Sequence, residues 1–331
     1  MGVNAAAVAL SSGAHPVARA LAPVSGVLNR ALGGPATVVW MIGDGRSGSS
    51  WVADLLARTC NYRQLFEPFH PVKVRKFDQY TLNHYQRPGS RNDDLKTRLQ
   101  DVFAGHVLNR RVNQDANRLL YQGLLVKDVF ATLFAAWAVE QFPNVRPVLQ
   151  VRHPFAVAVS KARKPGWHWT PGPTALLEQQ ALVEDHLAPH ADFLVEIEAL
   201  GDPVLNHVAV WTVLHYCLFR DLDARQMHIV PYRRIVRDPD NEIRRLLAYL
   251  GEEGADPCLD PELLCRAARY SDEANVKRSR NRSWAEELTT EQISRGTEVL
   301  ERFGLDRLYD GVEPAREFER VAANLWRGLR H

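Results

Sequence analysis

A glycine- and serine-rich segment, Gly43–Ser50 (GDGRSGSS), separates a short apolar run, Thr37–Ile42 (TVVWMI), from Trp51–Thr59 (WVADLLART), whose apolar letters fall at helical spacing. A short run without alternation reads as a strand covered on both faces, and such strands belong to parallel sheets. The order then recurs. Leu124–Val126 precedes Lys127-Asp128 and a helical stretch over Ala131–Phe142. Pro147–Val151 (PVLQV) precedes Arg152-His153-Pro154, with proline at a helix start, and a helix through Lys161. Met227–Val230 precedes a turn and a helix over Asn241–Leu250, closed by Gly251. Short strands alternating with helices predict an α/β fold of three layers, a central parallel sheet flanked by helices. Two long helical stretches, near Thr174–Leu200 and Pro203–Arg225, lie between the last two runs. Residues 73–118 are polar and weakly patterned, and read as an insertion lying over the site.

Composition sets the boundaries. Residues 1–35 are rich in Ala, Val, Gly, Ser and Pro. They read as a flexible extension, or as a weak amphipathic helix over Val17–Leu32, ahead of a single domain spanning 36–331. The apolar stretch Ala5–Leu10 is too short to span a bilayer and lacks a basic segment before it, so no transmembrane segment is expected. Ala6 stands where N-myristoylation requires Ser or Thr. Lys and Arg total 41 against 39 Asp and Glu, a net charge of +2 that argues against a nucleic-acid partner. Cys60, Cys217, Cys258 and Cys265 form no CxxC pair. That spacing argues against a zinc ribbon or disulfide scaffold, and for a reducing, cytoplasmic setting.

Successive backbone N–H groups in Gly43–Ser50, with the start of the following helix, form an anion cradle, so the sheet is P-loop-like. Gly43 and Gly48 have the spacing of a Walker A loop, but residue 49 is Ser rather than Lys. The lysine that bridges the β and γ phosphates of a nucleoside triphosphate is missing, and the loop's cation is Arg46. Such a loop suits a different anion, or is a strand–helix turn with no ligand. A second pattern favours the anion. Arg152 ends an apolar run, and Ser160 lies eight residues on, along the same helix face. Arginine presents a planar fork of donors to a phosphate dianion, and serine adds a hydroxyl.

These residues carry a family resemblance. Arg46-Ser47-Gly48-Ser49-Ser50-Trp51 resembles the 5′-phosphosulfate loop of sulfotransferases that use 3′-phosphoadenosine 5′-phosphosulfate (PAPS), in the arginine form of the carbohydrate and bacterial branches. Arg152 and Ser160 resemble that family's 3′-phosphate site. Val230–Pro239 (VPYRRIVRDP) is similar to a segment in which Tyr232 would flank the adenine, although Arg233-Arg234 stand where Glu-Asp is usual. Lys277-Arg278-Ser279, ahead of Trp284, is similar to the loop that closes over the 3′-phosphate, with Ser279 in place of glycine. The resemblance covers roughly residues 37–310. It implies metal-free, in-line transfer of a sulfuryl group from PAPS to an acceptor hydroxyl, leaving adenosine 3′,5′-bisphosphate.

Catalysis of that kind is positioning plus preorganised positive charge. Arg46, under the 5′-phosphate, and Lys127, matching the family's lysine at this strand end, are the implied cations. Cytosolic members carry a histidine two residues past that lysine, where this chain has Val129. Leu65–His70 (LFEPFH) resembles a segment of Golgi carbohydrate sulfotransferases whose glutamate acts as base. Glu67 is therefore the favoured base, its pKa raised by desolvation beside aromatics. His70 is an alternate base or acceptor-binding group, and Asp128 the third choice. The same segment tilts the acceptor toward a sugar hydroxyl, with lipids, phenols, natural products and protein tyrosine still open. A nucleotide kinase-like enzyme and a PAPS-binding protein without turnover remain as alternatives. His186 and His190 flank Pro189 with no third ligand in view, so no metal is expected. Trp167-His168-Trp169 reads either as an acceptor platform or as core packing, and Trp211, Tyr216 and Phe219 as a buried helix face.

Overall fold

β1 (Thr37–Gly43) is the middle strand of a five-stranded parallel sheet. Its order is β2-β3-β1-β4-β5, with β2 (Tyr62–Phe66), β3 (Gly123–Lys127), β4 (Val145–Val151) and β5 (His228–Pro231). The computed structural model describes residues 27–29, 35, 37–107, 109–114, 118–164, 167–252, 254 and 284–327. Val39, Trp40, Met41 and Ile42 are fully buried, which is why the run is apolar without alternation. Their side chains divide between two cores. Trp40 and Ile42 enter the larger one, and Val39 and Met41 the smaller. Full burial of each such side chain stabilises the fold by about 1.5–3 kcal/mol.

The smaller core packs α1 (Ser49–Thr59) against the sheet. The larger one holds α2 (Asp93–Phe103), α3 (Ala135–Gln141), α4 (Pro154–Ala162), α5 (Ala191–Ala199) and α6 (Pro203–Asp221). α7 (Tyr232–Arg237) and α8 (Pro239–Leu250) follow β5, with Ile243, Leu246 and Leu247 of α8 in the smaller core. α9 (Thr290–Arg302), a two-stranded ladder of β6 (Tyr309–Asp310) and β7 (Glu313–Pro314), and α10 (Phe318–Arg327) close the chain. α6 is buried all round, as the pattern of Trp211, Tyr216 and Phe219 predicted for one face. Two of its inner polar groups bond back along the helix. Thr212 Oγ1 donates to the Val208 carbonyl at 2.8 Å, and His215 Nδ1 bonds the Trp211 carbonyl at 2.7 Å.

The structure adds a strand the sequence did not reveal and corrects two expectations. β2 carries no apolar run because Arg63 and Gln64 sit inside it. Arg63 is buried nonetheless, donating to the Gly105 carbonyl and to Asn113 Oδ1. Residues 73–118 are not a mere insertion over the site, since Phe77, Leu95, Leu99, Val102 and Phe103 belong to the larger core. The stretch Thr174–Leu200 is not one helix. It breaks into Thr174–Leu177, Gln180–Leu182, a wide turn over Val183–Leu187, a tight turn over Ala188–His190, and α5. Pro189 lacks the N–H needed to carry the helix through. The expected helix Val17–Leu32, apart from a turn at 27–29, lies outside the described residues, as do Lys277 and Arg278. Among the described residues no helix is long and apolar enough to cross a membrane.

Candidate active site

The carboxyl ends of all five strands form one rim. β2 and β3 lie on one side of β1, and β4 and β5 on the other. The crevice at the end of β1 is therefore a topological switch point, where open α/β sheets bind ligands. Gly43–Ser50 leaves β1 at that point. Arg46 and Gly48 both take positive φ, 72° and 95°, which curls the loop back on itself. A side chain at residue 48 would place its Cβ 2.6 Å from Cδ2 of Tyr232, so only glycine lets that ring lie against the loop. No side chain caps α1, which leaves its first-turn amides open to an anion. Ser47 Oγ is buried and without a hydrogen-bond partner among the described residues.

One charged pair and two arginine hydrogen bonds fix the loop. Asp44 Oδ1 accepts the Gly45 N–H at 2.7 Å, and Lys161 Nζ reaches both Asp44 oxygens, at 2.6 and 2.7 Å. The two side chains are 4% and 3% exposed. Arg46 Nε donates to Ser160 Oγ at 2.9 Å, and Arg152 Nη1 to the Arg46 carbonyl at 3.2 Å. Arg152 lies 4.5 Å over the Tyr232 ring, and Trp51 meets that ring edge-on at 6.4 Å. Among the described residues Arg152 has no carboxylate partner. Burial, the larger cause, and the nearby Arg233 both press its pKa down. Trp167 and Trp169 stack on each other at 5.4 Å, with Arg46 5.8 Å over Trp167 and Lys161 5.3 Å over Trp169. The Trp-His-Trp segment thus packs on the anion loop.

A family model, that of the sulfotransferases, matches residues 39–256, a span that holds this whole rim. The chain belongs to the sulfotransferase family. Among solved structures this sulfotransferase is similar to the sulfotransferase domain of the Synechococcus PCC 7002 olefin synthase, at 17% identity over 84% of this chain and 96% of that one, TM-score 0.40. It is also similar to a sulfotransferase from Alicyclobacillus acidocaldarius, at 14% identity over 80% of this chain and 96% of that one, TM-score 0.36. A third, from Mycobacterium avium, shows 13% identity over 88% of this chain and 83% of that one, TM-score 0.40. No curated protein matches this chain significantly.

The opposite half of the sulfotransferase rim is built on β2 and β3. Glu67 follows β2 with φ 47°, its N–H bonded to the Lys127 carbonyl at 2.7 Å. Lys127 Nζ donates to Glu67 Oε1 at 2.8 Å, and Arg111 Nη2 to Oε2. Both cations also lie over the Phe66 ring, at 4.5 and 5.1 Å. This corrects the expected electrostatics. Burial pushes the Glu67 carboxyl up, but Lys127 and Arg111 together outweigh it and hold the group below its ordinary value. Lys127 is buried in that pair rather than exposed at a strand end.

His70 and Asp128 differ from expectation too. His70 Nδ1 accepts the Val72 N–H at 3.2 Å, so the neutral ring carries its proton on Nε2 and is a donor there. Burial, then Arg111, lowers its pKa to about 4, which keeps the ring neutral at pH 7. It packs on Phe130 at 4.5 Å and on His168 at 5.4 Å. Asp128 has both oxygens committed, Oδ2 to the Phe69 N–H at 2.8 Å and Oδ1 to the Phe130 N–H at 2.7 Å. Burial pushes it up to about 7 against the pull of those amides. It ties two loops together, one oxygen bonded to the backbone of each. His186 faces Asp221 at 3.0 Å, whereas His190 stacks on Phe303 at 4.2 Å, so the two rings do not converge. Arg111, Asp44 and Lys161 escaped the sequence reading, since each meets its partner across tens of residues.

Proposed function

We propose that this sulfotransferase takes its sulfuryl group from PAPS and passes it, in line, to an acceptor hydroxyl. The recessed guanidinium of Arg152, with no carboxylate partner among the described residues, carries this reading: such a cation site suits an anion supplied by a ligand. The Arg46–Ser160 hydrogen bond supports it. It puts the 5′ cation and the 3′ hydroxyl within one side chain of each other, a spacing suited to one nucleotide bearing both phosphates. In this reading the α1 amides, Arg46, Ser47, Ser49 and Ser50 hold the 5′-phosphosulfate, Arg152 and Ser160 the 3′-phosphate, and Tyr232 with Trp51 the adenine edge. Lys277 and Arg278 are proposed to close over the nucleotide.

Arg46 and Lys127 supply the positive charge that a departing phosphate and a near-planar sulfuryl group require, and the reading asks for no metal. Glu67 is the base. It is ionised at neutral pH, and when Lys127 turns to the sulfuryl charge, Oε1 is released to take the acceptor proton. His70, through its Nε2–H, orients the acceptor oxygen. We keep a sugar or other small alcohol as the acceptor class. We also place a single domain from residue 36 onward in the cytoplasm, where the buried, unpaired thiols of Cys60 and Cys217 suit a reducing medium.

Parallel calorimetric titrations with adenosine 3′,5′-bisphosphate and ATP–Mg²⁺ test the donor. Micromolar affinity for the bisphosphate, about −8 kcal/mol, with much weaker ATP binding is the expected result. Preference for ATP–Mg²⁺, or binding of neither, overturns it. Glu67→Gln should abolish turnover while keeping bisphosphate affinity, and persistent turnover would move the base elsewhere.

A further inference from the structure

Arg233 and Arg234, which stand where the resembling segment is usually acidic, reach across to the end of the chain. Arg233 Nη2 and Nε lie 2.6 and 3.1 Å from Glu313 Oε1, and Arg237 adds a second cation to the same carboxylate at 2.9 Å. Arg234 Nη1 meets Glu319 Oε1 at 2.5 Å, and its Nη2 donates to the carbonyls of Ala315 and Arg316, both at 3.2 Å. These contacts pin the β6–β7 ladder beside α7, directly after the strand that presents Tyr232.

The ladder carries Tyr309 to the Arg152 end of the rim. The Tyr309 ring centroid is 4.4 Å from that of His153, the residue after Arg152, and 5.6 Å from that of Phe318. Trp284 stacks on the same imidazole at 4.5 Å. The Tyr309 hydroxyl and Trp284 Nε1 are both buried, and neither has a hydrogen-bond partner among the described residues. Burial raises the Tyr309 pKa while the Arg152 guanidinium pulls it down, so the two groups interact electrostatically. Buried donors left unmade are costly, and such groups are normally satisfied. Here they gather on His153, next in the chain to an arginine with no carboxylate partner among the described residues.

We propose that Tyr309, held in place by the Arg233–Glu313 and Arg234–Glu319 pairs, donates its hydroxyl to the 3′-phosphate of the donor nucleotide. The proposal rests on the PAPS reading and deepens it. It makes the C-terminal ladder the element that distinguishes a 3′-phosphorylated nucleotide from one with a free 3′-hydroxyl. Tyr309 is the binding residue, and Arg233 and Glu313 are positioning residues.

The test is calorimetric titration of the wild type, Tyr309→Phe and Glu313→Gln with adenosine 3′,5′-bisphosphate and with adenosine 5′-monophosphate. Tyr309→Phe removes one oxygen and keeps the ring on His153 and Phe318. It should weaken bisphosphate binding about tenfold, as expected for a hydrogen bond to a charged group, and leave monophosphate binding unchanged. Glu313→Gln leaves Tyr309 intact and should lower the bisphosphate preference about threefold through the loosened ladder. Unchanged bisphosphate affinity in Tyr309→Phe, or equal weakening toward both nucleotides, overturns the proposal. An unchanged preference in Glu313→Gln refutes the positioning role. A wild type that does not prefer the bisphosphate refutes the donor reading itself, a result separate from either.

Discussion

Replacing Lys161 by methionine keeps the length of the side chain and removes its charge. Its Nζ lies 2.6 and 2.7 Å from the oxygens of Asp44, and both side chains are almost wholly buried. An exposed pair contributes about 0.2–1 kcal/mol. Here the substitution strands a buried carboxylate that, among the described residues, keeps the Gly45 N–H alone, and breaking a buried pair in this way costs about 3–5 kcal/mol. His207 and His215, the imidazoles nearest the pair on α6, do not replace the cation at neutral pH, because burial lowers both to about 4. For a domain of this size about 2 °C of melting temperature is lost per kcal/mol, so Lys161→Met should melt about 6–10 °C lower. Pairing it with Asp44→Asn removes the stranded charge and should return about 2 kcal/mol or more. Denaturant unfolding of the four proteins at pH 7 gives the double-mutant cycle directly. A single-mutant cost under about 1 kcal/mol, or a double mutant as unstable as Lys161→Met, would refute the assignment of a tight, desolvated pair beneath the anion loop.

Three further outcomes follow from the site. Arg152→Met removes a recessed cation with no carboxylate partner among the described residues, so its ligand-free melting temperature should equal or exceed that of the wild type, while the rise induced by adenosine 3′,5′-bisphosphate disappears. A scan with and without the nucleotide reads both effects. Gly48→Ala combines φ 95° with a Cβ 2.6 Å from the Tyr232 ring, so it should cost about 1–3 kcal/mol in denaturant unfolding and weaken bisphosphate binding as the ring is displaced. Glu67 has its folded-state pKa depressed, because Lys127 and Arg111 override the upward push of burial. Its stabilising contribution is therefore present above the ordinary carboxylate value and lost as pH falls through the lower folded one. Denaturation curves of wild type and Glu67→Gln should differ by a constant amount from about pH 8 to about pH 5 and converge below that range.

β1, β3, β4 and β5 were legible because a strand covered on both faces must be apolar throughout, and glycine or proline marks where each one stops. β2 was not, because Arg63 and Gln64 break its pattern, and the groups that satisfy Arg63, Gly105 and Asn113, lie 42 and 50 residues away. Arg46, Arg152, Ser160 and Tyr232 were legible because each occupies a fixed place in a strand–turn–helix unit, and the fold brings those units together. Lys161 and Asp44, 117 residues apart, and Arg111 and Glu67, 44 apart, leave no local trace. That is why the charge state of Glu67 was misjudged. Desolvation beside Phe66 could be anticipated from neighbouring letters, whereas its two counter-ions could not. The tautomer of His70 likewise depends on one backbone N–H, that of Val72, which only the folded turn supplies.

The sheet order also divides inheritance. The groups proposed to hold the nucleotide hang from β1, β4 and β5, while Glu67 and Lys127 hang from β2 and β3, with Arg111 supplied by the segment joining those two strands. β2 is an edge strand, so chain added or removed around it perturbs a single ladder, whereas β1 is gripped by neighbours on both sides. Lineages descended from such a chain should therefore vary in length between β2 and β3 and hold their spacing from β4 onward. On the proposed reading, new acceptors can be tried at the margin of the sheet while the β1–β4–β5 end keeps its geometry.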